Sequence, residues 1–185
     1  MSNKNKDRVC PVEEAGMLDS RWRKILQNPN KILKGYVKDG MSVLDIGCGP
    51  GFLTVEAAKM VGAKGKVTAA DLQKGMLDII KKKIEGKEIE PRITLHKCEA
   101  DSTRIKEQFD FIIAFYLVHE TPNPENFINE MKSLLNPGGI FLIVEPSFHV
   151  SKKAFCETIN IAEKAGLKIK IQPKMLFSRA VVLAL

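Results

Sequence analysis

The stretch VLDIGCGPGFLT, residues 43–54, combines an apolar run, an acidic residue and three closely spaced glycines. An apolar run that ends in glycines and is followed by an amphipathic segment predicts a strand, a tight loop and a helix. Glycines let the backbone turn sharply and approach a ligand, and the N-terminus of a helix offers unpaired N–H groups. The stretch therefore predicts a nucleotide-type binding site at the carboxyl end of a strand.

The glycine spacing and two acidic residues indicate what the ligand is. A dinucleotide loop has the pattern G-x-G-x-x-G, but here the third glycine comes one residue early, at Gly51, and Phe52 holds its expected position. Asp45, just before the loop, would repel a pyrophosphate and would attract the ammonium group of a methionine-like tail. Asp71 ends the next predicted strand, where a carboxylate can accept hydrogen bonds from ribose hydroxyls. These features favour S-adenosylmethionine over a dinucleotide.

Three signals in chain order resemble the class I S-adenosylmethionine-dependent methyltransferases. They are the loop from Asp45 to Gly51, Asp71 at the end of the second strand, and the turn LNPGG at residues 135–139 before a further strand. The resemblance covers about residues 30–185. The overall similarity is to the small-molecule branch, which includes quinone-biosynthesis C-methyltransferases and arsenite methyltransferases, but the chain lacks a clear substrate signature of either.

The order of the predicted elements gives the fold class. Strand and helix patterns alternate along the chain, which predicts an α/β fold with a mostly parallel sheet covered by helices on both faces. The resemblance implies a Rossmann-like sheet of seven strands in the order 3-2-1-4-5-7-6, with the last strand antiparallel. After the first strand the patterns predict helix 52–61, strand 66–71, helix 75–85, strands 93–98 and 109–115, helix 123–135, strand 140–145 after a turn at 137–139, helix 151–165, and apolar segments 167–171 and 180–185.

Length and composition bound the class of protein. A chain of 185 residues that is 44% hydrophobic and 28% charged is typical of one globular domain. We expect residues 1–36 to form an N-terminal tail and helical cap, and residues 37–185 to form the S-adenosylmethionine-binding domain. The polar N-terminus lacks the apolar core of a signal peptide, and no apolar stretch approaches membrane-spanning length. We therefore expect no membrane span and a cytoplasmic protein.

The charge and the cysteines leave several partners open. The net charge of +7 could favour RNA, an anionic membrane surface or an acidic substrate, although the densest lysine run, residues 81–83, is typical of a solvated helix face. Cys10, Cys48, Cys98 and Cys156 lack C-x-x-C spacing, so the sequence predicts neither a metal site nor a disulfide framework. Cys10 and Cys98 could form a thiol site for a metalloid, but buried cysteines more commonly pack as small hydrophobic residues.

The resemblance also implies cofactor contacts, residue by residue. It places Asp45 near the methionine amino group, Asp71 on the ribose hydroxyls and Leu72 against the adenine. Past the third strand, Glu99 or Asp101 could accept from the adenine amino group, and the register favours Glu99. The alternative for Asp45 and Asp71 is that they only cap the loop. The full set of predicted cofactor contacts is Asp45, Gly47, Cys48, Gly49, Gly51, Asp71, Leu72, Glu99, Ala100 and Phe115.

In this family, residues after the fourth strand often face the methyl acceptor. His119 is the candidate catalytic base there, because an imidazole titrates near neutral pH, and a hydrogen-bonded structural histidine is the alternative. Glu145 and His149 lie near the same rim, where they either contact substrate or are solvated loop residues. Tyr116 could stack on an aromatic acceptor and Trp22 could contact it, or both could be core residues. A base is required only when the acceptor must be deprotonated.

These features predict a methyltransferase that uses S-adenosylmethionine, releases S-adenosylhomocysteine and methylates a small molecule. Residues 121–124, TPNP, do not form the Asp/Asn-Pro-Pro-aromatic motif that binds planar amines in nucleobase and glutamine N-methyltransferases. An RNA or protein methyltransferase is the first alternative, because the chain is basic. A non-catalytic S-adenosylmethionine-binding protein is the second, and the glycine spacing disfavours a nicotinamide enzyme.

Overall fold

The structure, a computed structural model, describes residues 27–185. Most of the predicted N-terminal tail and helical cap, including Trp22, lies outside the described residues. The first helix that is described, α1, spans Pro29–Leu33. The side chain of Asn28 caps α1 by accepting from two backbone N–H groups of the first turn. Residues 28–30 thus form the capped start of a helix.

The described strands form one seven-stranded sheet. They are β1 (Ser42–Ile46), β2 (Lys66–Asp71), β3 (Ile93–Lys97), β4 (Phe109–Phe115), β5 (Leu135–Pro146), β6 (Lys168–Ile171) and β7 (Ser178–Ala184). The order is β3-β2-β1-β4-β5-β7-β6, and β7 is antiparallel to both of its neighbours. The other pairs are parallel. The predicted sheet order and the antiparallel last strand are confirmed.

Helices cover both faces of the sheet. Besides α1 they are α2 (Thr54–Met60), α3 (Lys74–Ile84), α4 (Pro124–Ser133) and α5 (Lys152–Lys164), and one-turn 3₁₀ helices span Glu90–Arg92 and Val118–Glu120. Val43 and Phe111 pack in a core with residues of α1, α2 and α3, whereas Leu44 and Phe141 pack in a second core with residues of α4 and α5. Continuous apolar runs are typical of parallel strands that are buried on both faces. No helix within residues 27–185 is long and apolar enough to cross a bilayer.

The fifth strand begins earlier than predicted. A turn at 137–139 followed by a strand from Ile140 was expected, whereas β5 already begins at Leu135. Leu135 pairs with Phe109, and Ile140 pairs with Phe111, so the extra residues of β5 form a bulge. Gly139 permits the bulge, because a Cβ there would lie 2.8 Å from the carbonyl oxygen of Phe109. The predicted start of the strand is therefore wrong, although its end is close.

The strand order fixes where a ligand can bind. From β1 the chain proceeds to β2 and β3 on one side, and it then crosses to β4 on the other side of β1. The loops that follow β1 and β4 therefore diverge. In open α/β sheets such a divergence opens a crevice outside the carboxyl ends of the strands.

Candidate active site

A cavity of about 830 Å³ lies at the carboxyl ends of the central strands. Its walls come from the loops after β1, β2, β3, β4 and β5, and its volume suits a cofactor together with a small molecule. Two of the predicted residues, Gly51 and Glu145, do not line it, and Trp22 lies outside the described residues. The predicted residues that line the cavity are Asp45, Gly47, Cys48, Gly49, Asp71, Leu72, Glu99, Ala100, Phe115, Tyr116, His119 and His149.

The loop at residues 47–51 is held against the neighbouring strand. The backbone N–H of Gly47 donates to the carbonyl oxygen of Ala70 at 2.8 Å. Gly47 has a φ of +69°, and a Cβ at this position would lie 2.7 Å from the side chain of Leu117. A glycine is therefore needed both for the backbone conformation and for the close approach of the loop after β4.

Replacing Gly51 with alanine is expected to lower the free energy of unfolding by roughly 2–4 kcal/mol. Gly51 has a φ of +83°, and its new Cβ would lie 2.9 Å from Cγ1 of Ile80, so backbone strain and overpacking add. Urea unfolding measures the loss. Gly86 is the matched control, because it has a φ of +70° with nothing within 4 Å of a Cβ. Equal losses in the two alanine variants would contradict the packing part of this prediction.

Asp45 is a buried acid at the end of β1. Its side chain is only 2% exposed, and the hydroxyl of Thr54 donates to Oδ2 at 2.6 Å. Burial raises the pKa of Asp45 to about 6 in spite of this hydrogen bond, and the charge of Asp71 contributes to the increase. A cationic group in the cavity would stabilise the ionised carboxylate, as predicted for the ligand's ammonium group.

Asp71 caps the glycine loop from the end of β2. Its Oδ2 accepts from the backbone N–H of Gly49 at 2.9 Å, and its Oδ1 accepts from the N–H of Gln73 at 2.8 Å. Burial raises the pKa of Asp71, while these hydrogen bonds oppose the increase. A carboxylate oxygen can accept a second hydrogen bond, so capping the loop and binding a ribose are compatible. Contact with a ribose stays a prediction.

The loop after β3 is held in the cavity wall by α4. Glu130 accepts through Oε1 from the backbone N–H of Thr103 at 2.8 Å and from the hydroxyl of Ser102 at 3.0 Å. Glu99 and Asp101 both line the cavity. Contact of Glu99 or Asp101 with an adenine amino group stays a prediction.

His119 lies on the 3₁₀ turn after β4 and is paired with a carboxylate from β5. Its Nδ1 is hydrogen-bonded to Oε2 of Glu145, and its backbone N–H donates to Oε1 of the same residue at 3.2 Å. Burial lowers the pKa of the His119 imidazole, but the hydrogen bond and the charge of Glu145 more than compensate, so that the pKa is raised. This carboxylate fixes the ring orientation and leaves Nε2 as the nitrogen that can take a proton.

The prediction for Glu145 needs correction. Glu145 is 1% exposed and does not line the cavity, so it is not a solvated loop residue, and its carboxylate is bonded to His119. The structure therefore favours a contact of Glu145 with His119 over direct contact with an acceptor. His149 does line the cavity, and its ring centroid lies 5.0 Å from that of His119.

Tyr116 lines the cavity in an unusual backbone conformation. Its φ is +62°, its ring stacks on that of Phe115 with centroids 4.4 Å apart, and its hydroxyl lies 2.7 Å from Oγ of Ser178. The side-chain amide of Gln27 also donates to this hydroxyl. A non-glycine residue held at positive φ costs energy, and such residues cluster at functional sites. Tyr116 is part of the cavity wall, and its contact with an acceptor stays a prediction.

Sequence reasoning missed Glu120 and Glu130, which also line the cavity. Burial raises the pKa of Glu120 to about 7; the charge of His119 opposes the increase, and the charges of Glu145 and Asp71 add to it. The one signal for Glu120 was its position directly after His119. Glu130 lies within α4, and its helical pattern gave no indication that it contacts a loop 27 residues away.

The cysteines do not favour a metalloid site. Cys48 and Cys98 are buried free thiols, and burial raises the pKa of Cys48 well above its usual value and that of Cys98 to about 12. Since metals and metalloids bind the thiolate, such thiols are poor ligands. Cys10 lies outside the described residues. Among residues 27–185, no group of three or more histidines, cysteines or acids could hold a metal ion.

Known proteins share this sequence pattern. A family model described as a methyltransferase domain matches residues 37–174. A demethylmenaquinone methyltransferase of Lactobacillus johnsonii is 34% identical over 60% of this chain and 46% of that protein. A demethylmenaquinone methyltransferase of Symbiobacterium thermophilum is 26% identical over 95% of this chain and 72% of that protein. The chain thus spans about half the length of the first of these relatives.

A solved structure matches the fold almost from end to end. The crystal structure of an S-adenosylmethionine-dependent methyltransferase from Aquifex aeolicus has a TM-score of 0.83 and 28% identity, and the match covers 94% of this chain and 98% of that one. The family model spans the glycine loop, the two strand-end acids and the His119 turn. The chain therefore belongs to the class I S-adenosylmethionine-dependent methyltransferases.

Proposed function

We propose that the protein transfers a methyl group from S-adenosylmethionine to a small aromatic acceptor that carries an ionisable hydroxyl. The observation that carries this proposal is the His119–Glu145 pair, because the imidazole of His119 lines the same cavity as the glycine loop and its two acids. A class I methyltransferase needs such a base only when its acceptor must lose a proton to become a nucleophile. The free thiols of Cys48 and Cys98 support a reducing compartment, and we propose a cytoplasmic location.

The residues present suit S-adenosylmethionine chemically. Asp45 would face the ammonium group of the methionine tail, Asp71 the ribose, and the loop at 47–51 would offer backbone N–H groups. Two buried carboxylates in one cavity repel each other, which a bound cation relieves. When bound, S-adenosylmethionine supplies an electrophilic methyl group. The chain's own contribution is to orient this group and to exclude water.

Affinity for S-adenosylhomocysteine is expected to fall as the pH is lowered through about 6, the pKa of Asp45. The ligand's ammonium group binds the ionised carboxylate, so protonation of Asp45 competes with binding, by up to about tenfold per pH unit. Calorimetric titration between about pH 5 and pH 8 measures this dependence. 5′-Methylthioadenosine is the control ligand, because it lacks the amino group. The same pH dependence for both ligands would contradict the contact with Asp45.

The pair formed by His119 and Glu145 can move a proton. Glu145 accepts the Nδ1–H of the imidazole, and Nε2 takes the proton that an acceptor hydroxyl loses. The phenolate that remains is more electron-rich, both at oxygen and at the ring carbon beside it. Glu120 lines the cavity next to His119 and can accept a hydrogen bond from a second hydroxyl.

The apolar side chains in the wall of the cavity support an aromatic acceptor. Leu72, Met76, Phe115, Leu117 and Phe127 contribute apolar side chains to the wall. A flat apolar molecule buries its faces well against such side chains, while the few polar groups set its orientation. Two relatives are demethylmenaquinone methyltransferases, which supports a quinol as the acceptor here.

Incubation of the protein with S-adenosylmethionine and reduced 1,4-naphthoquinone tests the proposal. We expect mass spectrometry to find one added methyl group on the quinol and an equal amount of S-adenosylhomocysteine. 2,3-Dimethyl-1,4-naphthoquinol is the matched control, because its ring carbons beside the hydroxyls are blocked. The control can be methylated only at oxygen, so its methylation would indicate transfer to oxygen rather than to carbon. Cofactor binding without turnover on either quinol would contradict the proposed acceptor.

A further inference from the structure

Three large apolar side chains are exposed together beside the cavity. Phe148 follows β5 and is 81% exposed, and Leu176 and Phe177, just before β7, are 56% and 57% exposed. The two loops are joined, because the N–H of Ser147 donates to the carbonyl oxygen of Phe177 at 2.9 Å. We call the surface formed by Phe148, Leu176 and Phe177 the rim patch. Adjacent exposed side chains of this size are uncommon on a solvated surface and mark a contact surface.

Backbone strain strengthens this interpretation. Phe177 has a φ of +56°, a conformation that costs energy for a bulky residue and that glycine or asparagine adopts more easily. An aromatic side chain is therefore kept at a strained position where it is largely exposed. The turn from Met175 to Ser178 sets this backbone conformation, but it does not require an aromatic side chain, whereas insertion into an apolar partner does.

Two segments of the chain that include the rim patch carry its excess of positive charge. Segments 146–156 and 164–185, which include the patch, contain seven lysines and arginines and no aspartate or glutamate. The rest of the chain has 29 − 7 = 22 basic and 22 acidic residues, so these two segments account for the net charge of +7. The basic residues are Lys152, Lys153, Lys164, Lys168, Lys170, Lys174 and Arg179.

The rim patch also adjoins the entrance to the cavity, because Phe148 belongs to both. A flat partner that contacts the patch would therefore face the active site. Since no described helix is long enough to span a bilayer, contact with a membrane would be at its surface. Lys152 and Lys174 flank the rim patch along the chain. Apolar side chains flanked by lysines are a composition that binds an anionic lipid surface, because the apolar side chains enter the acyl boundary and the lysines meet the headgroups.

We propose that the protein binds peripherally to anionic lipid bilayers through the rim patch and the two lysines that flank it, Lys152 and Lys174. The proposal concerns this surface, and it stands whichever molecule is methylated. Phe148, Leu176 and Phe177 insert at the headgroup level, and Lys152 and Lys174 approach the lipid phosphates.

Sedimentation of the full chain with vesicles tests this proposal. Vesicles of phosphatidylcholine and phosphatidylglycerol in equal amounts should bind the protein, vesicles of phosphatidylcholine alone should bind it weakly, and added salt should release it. Lys152→Gln with Lys174→Gln should lower the partition coefficient by roughly fivefold per lysine. Leu176→Gln with Phe177→Asn should lower it by roughly tenfold or more, and thermal unfolding verifies that this exposed pair can be replaced without loss of the fold.

The matched control is Lys82→Gln with Lys87→Gln, which removes the same charge from exposed positions on and after α3. This variant should bind vesicles as the unchanged protein does. Equal losses in the two lysine variants would overturn the proposal, since binding would then follow net charge alone. Absence of vesicle binding would overturn it too, as would concentration-dependent dimerisation that the Leu176 and Phe177 substitutions abolish.

Discussion

Replacing His119 with glutamine is expected to lower kcat by roughly 10²- to 10⁴-fold, the usual contribution of a general base. Glutamine can still donate to Glu145 but cannot take a proton from an acceptor hydroxyl. Affinity for S-adenosylhomocysteine should not change, because His119 is not among the predicted cofactor contacts. Turnover with the acceptor that the quinol assay identifies, together with calorimetric titration of the product, separates these two effects.

The pH dependence gives the same prediction an independent readout. The active form of a base is the neutral imidazole, so kcat/KM should rise with pH through the pKa of His119, which Glu145 holds above its usual value. His119→Gln should lose this rise. His96→Gln is the matched control, because that ring is bonded to the carbonyl oxygen of Thr103 at 2.6 Å and does not line the cavity. An unchanged kcat in His119→Gln would show that His119 is a structural histidine and not a base.

Glu145→Gln distinguishes positioning from direct catalysis. Removing the charge of Glu145 should lower the pKa of His119, because that charge and its hydrogen bond are what raise it. The rise of kcat/KM should therefore move to lower pH, while kcat falls by less than in His119→Gln. A variant that loses stability but keeps the original pH profile would contradict this role.

Much of the fold could be predicted because its signals are local. Asp71 ends β2 and Asp45 is the last residue but one of β1, and the glycines of the loop at 47–51 need conformations that other residues avoid. Ends of β2 and β4 were predicted to the residue, since apolar runs stop abruptly there. The start of β5 was not predicted, because the bulge opposite Phe109 depends on pairing between strands.

The candidate site was only partly predictable, because its chemistry depends on contacts between distant segments. Glu145 and His119 are 26 residues apart and meet because β4 and β5 are neighbours. The sequence placed Glu145 near the rim of the site, either in contact with substrate or as a solvated loop residue. Glu130 likewise holds the distant loop after β3, and nothing in the sequence pattern of α4 indicates this contact. A pattern shows where a strand ends, whereas packing decides what its last side chain touches.

Replacing Asp71 with asparagine is expected to raise the Kd for S-adenosylhomocysteine by roughly 10- to 100-fold, the effect of losing hydrogen bonds to a charged acceptor. This change alone is ambiguous, because the carboxylate of Asp71 also accepts from the backbone N–H groups of Gly49 and Gln73. An asparagine side chain has one acceptor oxygen, so part of the loop support is lost as well. The affinity loss therefore needs a second measurement to separate the loop from the ribose.

A thermodynamic cycle with the 2′-deoxy analogue of S-adenosylhomocysteine separates the two roles of Asp71. If the carboxylate accepts from the ribose, removing the 2′-hydroxyl should weaken binding to the unchanged protein by roughly tenfold and should barely affect binding to Asp71→Asn. The two changes are then strongly coupled. If Asp71 only caps the loop, the analogue should lose the same affinity in both proteins, and calorimetric titration of the four pairs decides between these outcomes. Coupling would establish Asp71 as a ligand contact as well as the residue that holds Gly49 in place.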